Sequence, residues 1–459
     1  RRELALNAAN LLEADTGNVE TRIDALMNDE ELVTSKPDWV QNPISARAEA
    51  TIVRCLINQS KATSSLPSIH TEKAIDWAQG KAGFTFADQQ AEAVRQALQS
   101  KISILTGGPG TGKTTILRAL VSILRAKKTK ILLAAPTGRA ARRMADSCSH
   151  FAQTVHRLLK FDPSQGGFTM NDQNPLTCDF VIMDEASMLD LRLAAALIRS
   201  LPPKAHLLLV GDADQLPSVG SGNVLKDLIE CQLFQVTRLA VTFRQSENSG
   251  IVGLAHGILG GKGSPPPPVD SPSEINPQHD VHFVRAETPE KCVTVVTKLS
   301  KDILPEKFSI DPKNDLQILA PLHRGIGGIG NLNDQLRDTL NPTGATQVMG
   351  SLLFREGDKV IQTRNNYDKD VFNGDMGIIE AVDTLNGKVD IDFEGKKVSY
   401  QRMEITDLQP AYAISVHKSQ GSEYPVVIFP LLKQHFMMLQ RNLVYTGLTR
   451  AKKKVVFVG

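Results

Sequence analysis

At 459 residues, 41% hydrophobic and 22% charged, the chain has the make-up of an ordinary globular protein long enough for two large domains plus smaller pieces. No run approaches roughly eighteen consecutive apolar residues and no charged-then-apolar leader opens the chain, so a membrane span and a secretory signal are not expected. A formal net charge of +2 neither demands nor excludes a nucleic-acid partner. Three local clusters (Lys127, Lys128 and Lys130; Arg139, Arg142 and Arg143; Lys452, Lys453 and Lys454) read as phosphate contacts or as solvated faces.

Cys55, Cys148, Cys178, Cys231 and Cys292 lie far apart without C-x-x-C spacing. That disfavours zinc or iron–sulfur ligation and suits a reduced, cytoplasmic setting. Arg1 in place of an initiator Met, and Gly459 directly after a strand-like run, read as the cut ends of a longer natural protein.

In chain order, residues 1–80 read as helical: Leu4, Leu11 and Leu12, then Ile23, Leu26 and Met27, recur at helical spacing, and residues 46–56 continue the pattern. Packing or docking is the default role there. From Phe84 onward apolar runs alternate with helices, as in a parallel sheet, with strands predicted at 102–105, 131–134, 180–183 and 207–210. Turn signals inside residues 160–169 predict a small hairpin. Residues 260–280 form a proline-rich surface connection. A second parallel set follows at 281–284, 316–319, 426–429 and 455–458.

Residues 346–410 break this rhythm. Short strands at 359–362, 376–379 and 388–393, with turns at Asn373-Gly374, Asn386-Gly387 and Glu394-Gly395, predict a small β-barrel inserted into the second lobe; a surface elaboration is the plainer alternative. The expected division is a helical region over 1–80, a first lobe over 81–238 with a hairpin insertion at 157–178, a second lobe from 239–345 and 411–459, and the barrel at 346–410.

The chemistry begins at residues 107–115, GGPGTGKTT, which match G-x-x-x-x-G-K-[ST] between a strand and a helix start. Gly108, Pro109, Gly110, Thr111 and Gly112 would wrap backbone amides around phosphate oxygens at the helix N-terminus, with Thr115 behind them. Lys113 would reach the β- and γ-phosphates and Thr114 a magnesium ion. The chain is therefore expected to bind a nucleoside triphosphate. Asp184 and Glu185 follow the third strand, where a parallel sheet places catalytic groups. Asp184 suits the metal, Glu185 the base that deprotonates an attacking water. Gln215, at the next strand end, suits sensing of the γ-phosphate.

Taken in order, these segments resemble the motifs of superfamily 1 helicases, and within them the RecD-like branch. Residues 86–90 are similar to the Q motif, GGPGTGKTT to motif I, APTGRAA (135–141) to motif Ia, DEAS (184–187) to motif II and GDADQLPSVGSG (211–222) to motif III. Phe243-Arg244-Gln245 and Leu319-Ala320-Pro321 resemble the motif IV region, residues 416–423 motif V and 444–452 motif VI.

The resemblance implies an α/β fold of two tandem RecA-like lobes (a P-loop NTPase) carrying the hairpin and the barrel, with ATP and Mg2+ as ligands. It also implies that Gln90 reads the adenine edge, that Arg244 and Arg450 reach the γ-phosphate across the cleft, and that Gly421 and Glu423 contact the nucleotide. Thr137, Arg139, His156, His417, Lys418 and Ser419 are implied contacts to a single strand, although His156 reads equally well as a packed core histidine. The implied activity is ATP-driven translocation on single-stranded DNA and unwinding at duplex junctions, 5′ to 3′, by a monomer, with recombination or repair proteins as further partners. The residues leave open an ATPase switch without unwinding, RNA as the track, and a portion of a recombination nuclease or conjugative relaxase.

Overall fold

In the computed structural model, which describes all residues except 37, 163, 165, 242–248, 350, 351 and 367, the first long apolar run forms β1 (Ile102–Gly107). After it come α1 (Lys113–Ala126), β2 (Ile131–Ala135), α2 (Gly138–Cys148), β3 (Ala152–Thr154), β4 (Phe180–Met183), β5 (His206–Gly211) and β6 (Gln235–Leu239). The strands pair in parallel in the order β6-β1-β5-β4-β2-β3. Side chains alternate across a strand, so Ile102, Ile104, Val181, Leu207 and Leu209 enter one core while Leu105, Phe180, Ile182, Leu208 and Val210 enter the other. A parallel sheet buried on both faces needs such continuous apolar runs. The edge strands β3 and β6 lack them, and the four-strand expectation omits both.

The N-terminal region packs its Pro43–Lys61 helix, through Ile52 and Leu56, against the first of these cores. Helices Arg2–Leu12 and Thr16–Asn28 enclose a separate small core of Ala5, Ala9, Val19 and Ile23. The all-helical expectation fails at Val33–Lys36 and Trp39–Gln41, which pair antiparallel; β-branched and aromatic residues there favour extended backbone. The hairpin within 160–169 consists of two two-residue strands, Phe161–Asp162 and Gly167–Phe168. Its aromatic base packs on His156, with ring centroids 6.0 Å (Phe161) and 5.7 Å (Phe168) away.

The second lobe contains β7 (Val281–Val284), β8 (Leu316–Ala320), β9 (Ala413–Ser415), β10 (Tyr424–Pro430), α3 (Arg441–Leu448) and β11 (Ala451–Val458). It is a parallel sheet in the order β7-β11-β10-β8-β9. Between β8 and β9 lie the Ile329–Leu340 helix, a hairpin (Thr346–Met349 with Leu352–Arg355) and a five-stranded antiparallel sheet.

That sheet runs in the order Lys396–Tyr400, Lys388–Phe393, Met376–Asp383, Lys359–Gln362, Leu408–Pro410. Phe354, Val360, Ile391, Phe393 and Tyr400 fill its core. Hydrogen bonds join each strand to its neighbours, and this antiparallel sheet fits the small β domain expected as an insert in the second lobe. No helix among them is long and apolar enough to cross a membrane.

Candidate active site between the lobes

The loop from β1 to α1 turns through Gly110 and Gly112, whose φ angles of 76° and 88° suit glycine because a Cβ is strained there. Gly112 caps α1 without a side-chain acceptor, so the first amides of the helix face outward as anion donors. Lys113 Nζ donates to the carbonyls of Gly107 (2.5 Å) and Gly108 (2.9 Å), which fixes its ammonium against the loop. Buried Thr111 braces the same turn, its hydroxyl donating to Gly108 O at 2.8 Å.

In front of the loop lies a cavity of about 510 Å³. Its walls are Pro109, Gly110, Gly112, Lys113, Thr114, Thr115, Arg143, Asp184, Glu185 and Gln215 from the first lobe and Glu423, Arg450 and Lys452 from the second.

Asp184 and Glu185 leave β4 at this cavity. Burial and the neighbouring Glu185 carboxylate push the Asp184 carboxyl up from its ordinary value, against the pull of Arg143 and Lys113. Its Oδ1 accepts from Glu185 N at 2.8 Å. Glu185 is 9% exposed and adopts φ 51°, a left-handed conformation that a non-glycine residue holds at a cost of order 1 kcal/mol and that clusters at functional sites. Its Oε1 accepts from Arg143 Nη2 at 3.1 Å.

Buried Gln215 donates through Nε2 to Asp212 Oδ2 at 3.0 Å, while its Oε1 has no hydrogen-bond partner among the described residues and the residue lines the cavity. Tyr445, on α3 of the second lobe, donates its hydroxyl to the same Asp212 oxygen at 2.9 Å. Two further bonds cross between lobes here: Leu216 N to Thr446 Oγ1 and Gln420 Nε2 to Leu216 O, both 2.8 Å. Arg450 is 3% exposed and donates to the carbonyls of Thr446 and Ser422, each at 3.2 Å.

The oxygen donors fit a hard divalent cation. Exposed Thr114 and the Asp184 carboxylate face the same cavity, and no group of three or more His, Cys, Asp or Glu able to hold a metal occurs among the described residues. A cation there would complete its shell with phosphate oxygens and water, as magnesium does.

A second cleft, about 320 Å³, collects Thr137, Arg139 and His156 from the first lobe, His417 and Lys418 from the second, and Asn373 and Gly374 from the inserted sheet. Thr137 caps α2, its hydroxyl accepting from Ala140 N at 3.3 Å. Burial lowers the proton affinity of His156, His417 and Lys418. The inserted sheet docks on the N-terminus of α2: Arg139 pairs with Glu394 at 3.2 Å, and a Cβ on Gly138 would lie 2.3 Å from Phe372.

Apart from Gly108 and Thr111 of the P-loop, which line an adjoining cavity, three expected site residues lie elsewhere. Ser419 is fully buried, its hydroxyl donating to Val416 O at 2.7 Å, so its side chain does not reach this second cleft. Gly421 sits against Thr137 and Ala140 instead of the nucleotide cavity. Gln90 is buried on the Asp88–Gln99 helix, where its Oε1 accepts from Ala87 N at 3.1 Å, and it does not line the cavity. Arg244, with Phe243 and Gln245, lies outside the described residues. Sequence reasoning missed Asp212, Tyr445 and Arg143; the first two stand inside motifs III and VI, but their pairing across the lobes carries no sequence signal.

Residues 90–221 match the family described as AAA domain, 332–393 the ATP-dependent RecD-like DNA helicase SH3 domain and 410–458 the UvrD-like helicase C-terminal domain. The chain is 34% identical to the ATP-dependent RecD2 DNA helicase of Deinococcus radiodurans, over 84% of this chain and 50% of that protein. It is 31% identical to the RecBCD enzyme subunit RecD of Mycobacterium tuberculosis, over 81% of this chain and 69% of that one. The chain thus spans half the length of the Deinococcus relative. A crystal structure of Pif1 helicase from Bacteroides in complex with ADP-AlF3 and ssDNA aligns with a TM-score of 0.49 at 17% identity, covering 81% of this chain and 92% of that one. With its P-loop, its two parallel-sheet lobes and this level of identity, the chain belongs to the RecD-like family of superfamily 1 helicases.

Proposed function

We propose that the chain is an ATP-dependent DNA translocase and helicase whose catalytic site closes between its two lobes. The observation that carries this reading is the nucleotide cavity walled by both lobes, with Lys113 and Glu185 on one side and Arg450 on the other. Glu185 takes the proton of a water that attacks the γ-phosphorus, and the bond to the β-phosphate oxygen breaks as ADP leaves. Lys113 and Arg450 offset the charge that spreads over the phosphoryl oxygens, and Arg244 is assigned the same task from its motif. Thr114 and Asp184 would hold Mg2+, which would screen the phosphate charge.

Gln215 senses the γ-phosphate, and through Asp212 it passes that state to Tyr445 of the second lobe. Single-stranded DNA lies in the second cleft, where Thr137, Arg139, His156, His417 and Lys418 meet its backbone without reading sequence. Cycles of lobe closure and opening advance the strand 5′ to 3′. The Phe161–Phe168 hairpin divides the duplex, and the inserted sheet roofs the cleft. The division into a helical region (1–80), two lobes (81–238; 239–345 with 411–459) and an insert (346–410) belongs to the same reading, as does a reduced cytoplasmic setting.

A second reading, as a subunit of a larger recombination complex, is favoured by the relatives described as RecBCD subunits. Unwinding of duplexes bearing 5′ or 3′ single-stranded tails tests the first reading. Separation of the 5′-tailed duplex alone is expected; ATP hydrolysis without separation of either duplex would leave the chain a switch or a dependent subunit.

A further inference from the structure

One helix, α2, borders both clefts. Its N-terminal turn carries Thr137 as cap and Arg139, which line the strand cleft. One turn on, on the same helical face, Arg143 lines the nucleotide cavity and donates to Glu185 Oε1 at 3.1 Å. The first turn also bears the inserted sheet, through Phe372 against Gly138 and Glu394 against Arg139.

We propose that Arg143 is a positioning residue that restrains the Glu185 carboxylate until a strand enters the neighbouring cleft. The inference rests on Glu185 being the base of the proposed hydrolysis. A carboxylate oxygen engaged by a guanidinium is held toward α2, with an acceptor position occupied that a water would otherwise use. Glu185 has little freedom to evade this grip, since its backbone is fixed in the left-handed region and its side chain is nearly buried. Arg143 is half-exposed, so the pair separates without opening the core.

A phosphate backbone bound at Thr137 and Arg139 competes for Arg139 with Glu394 and shifts the first turn of α2. Because α2 is a rigid rod of eleven residues, the shift displaces Arg143 and frees the carboxylate. Strand binding and hydrolysis are coupled through a single helix.

Steady-state ATP hydrolysis by the full chain with magnesium, with and without an oligothymidylate strand, tests this for wild type, Arg143→Ala and Arg143→Lys. Without the strand, Arg143→Ala is expected to raise kcat about tenfold and leave KM for ATP within about twofold. With the strand its kcat matches wild type, so the stimulation shrinks by the same factor, and Arg143→Lys restores it. An unchanged or lower strand-free kcat in Arg143→Ala overturns the proposal, because a merely structural or a productive role for Arg143 gives that result. Should Arg143→Ala fold poorly, Arg143→Gln, which keeps length and loses charge, serves the same comparison. Glu185→Gln separates the two levels: equal turnover in Glu185→Gln and wild type rejects the base, and with it the restraint, whereas loss of turnover with an unmoved Arg143→Ala rejects the restraint alone.

Discussion

Asp184 illustrates how a side chain suited to one ligand strains the protein that carries it. Burial and the adjacent Glu185 raise its proton affinity, so the folded state prefers the neutral acid. For a carboxyl with a raised folded pKa, stability is greatest below the ordinary aspartate value and falls as pH rises through the raised one. Asp184→Asn, which never charges, is expected to raise the thermal midpoint by a few degrees near about pH 8 and to leave it unchanged near about pH 3.5. If Asp184 holds the metal as proposed, magnesium nucleotide is expected to reverse the order, because a bound divalent ion favours the charged carboxylate. Thermal melts of both proteins at the two pH values, with and without the ligand, check this; equal midpoints at the higher pH would contradict it.

Asp184, Glu185 and Lys113 were legible because a short motif after an apolar run fixes both residue type and position in the fold. Ser419 was not: its motif places it correctly along the chain, but nothing there says that its hydroxyl turns back to Val416 O. Arg143 reads from sequence as one more surface cation, and only the fold brings it to Glu185.

Among the strands of the first lobe, the buried ones announced themselves and the edge strands did not. Val181, Ile182 and Met183 are buried on both sides of the sheet and form an unbroken apolar run, whereas β6 buries only two of its five residues and blends into its surroundings. The inserted sheet was legible from its Asn-Gly and Glu-Gly turns, which supply the positive φ angles at Gly374, Gly387, Glu394 and Gly395.

The hairpin of Phe161–Asp162 and Gly167–Phe168 packs its aromatic rings on His156, and none of its described residues lines the nucleotide cavity. Replacing residues 161–168 by a short glycine-serine turn is therefore expected to abolish duplex unwinding while strand-stimulated hydrolysis stays within about twofold of wild type. Gel separation of a tailed duplex alongside a hydrolysis assay decides it. Full unwinding by the shortened protein would return the hairpin to the status of a surface loop.

For the whole molecule, the defining feature is that neither lobe holds a complete site. The first contributes the P-loop and the acidic pair; the second contributes Arg450, and the two are tied by Tyr445, Thr446 and Gln420 to the segment 212–216. The order of the strands in each sheet was legible only as a parallel class, because register and lobe contact depend on side chains far apart in the chain. In the proposed mechanism, a guanidinium from the opposite lobe would make hydrolysis report on closure, and closure would move a strand lying across both lobes. The most direct measurement is strand-stimulated ATP hydrolysis by Arg450→Ala beside its nucleotide affinity. The account predicts affinity within about tenfold of wild type and hydrolysis lower by about a hundredfold or more. Hydrolysis at the wild-type rate with DNA present would contradict it, since the second lobe would then not complete the active site.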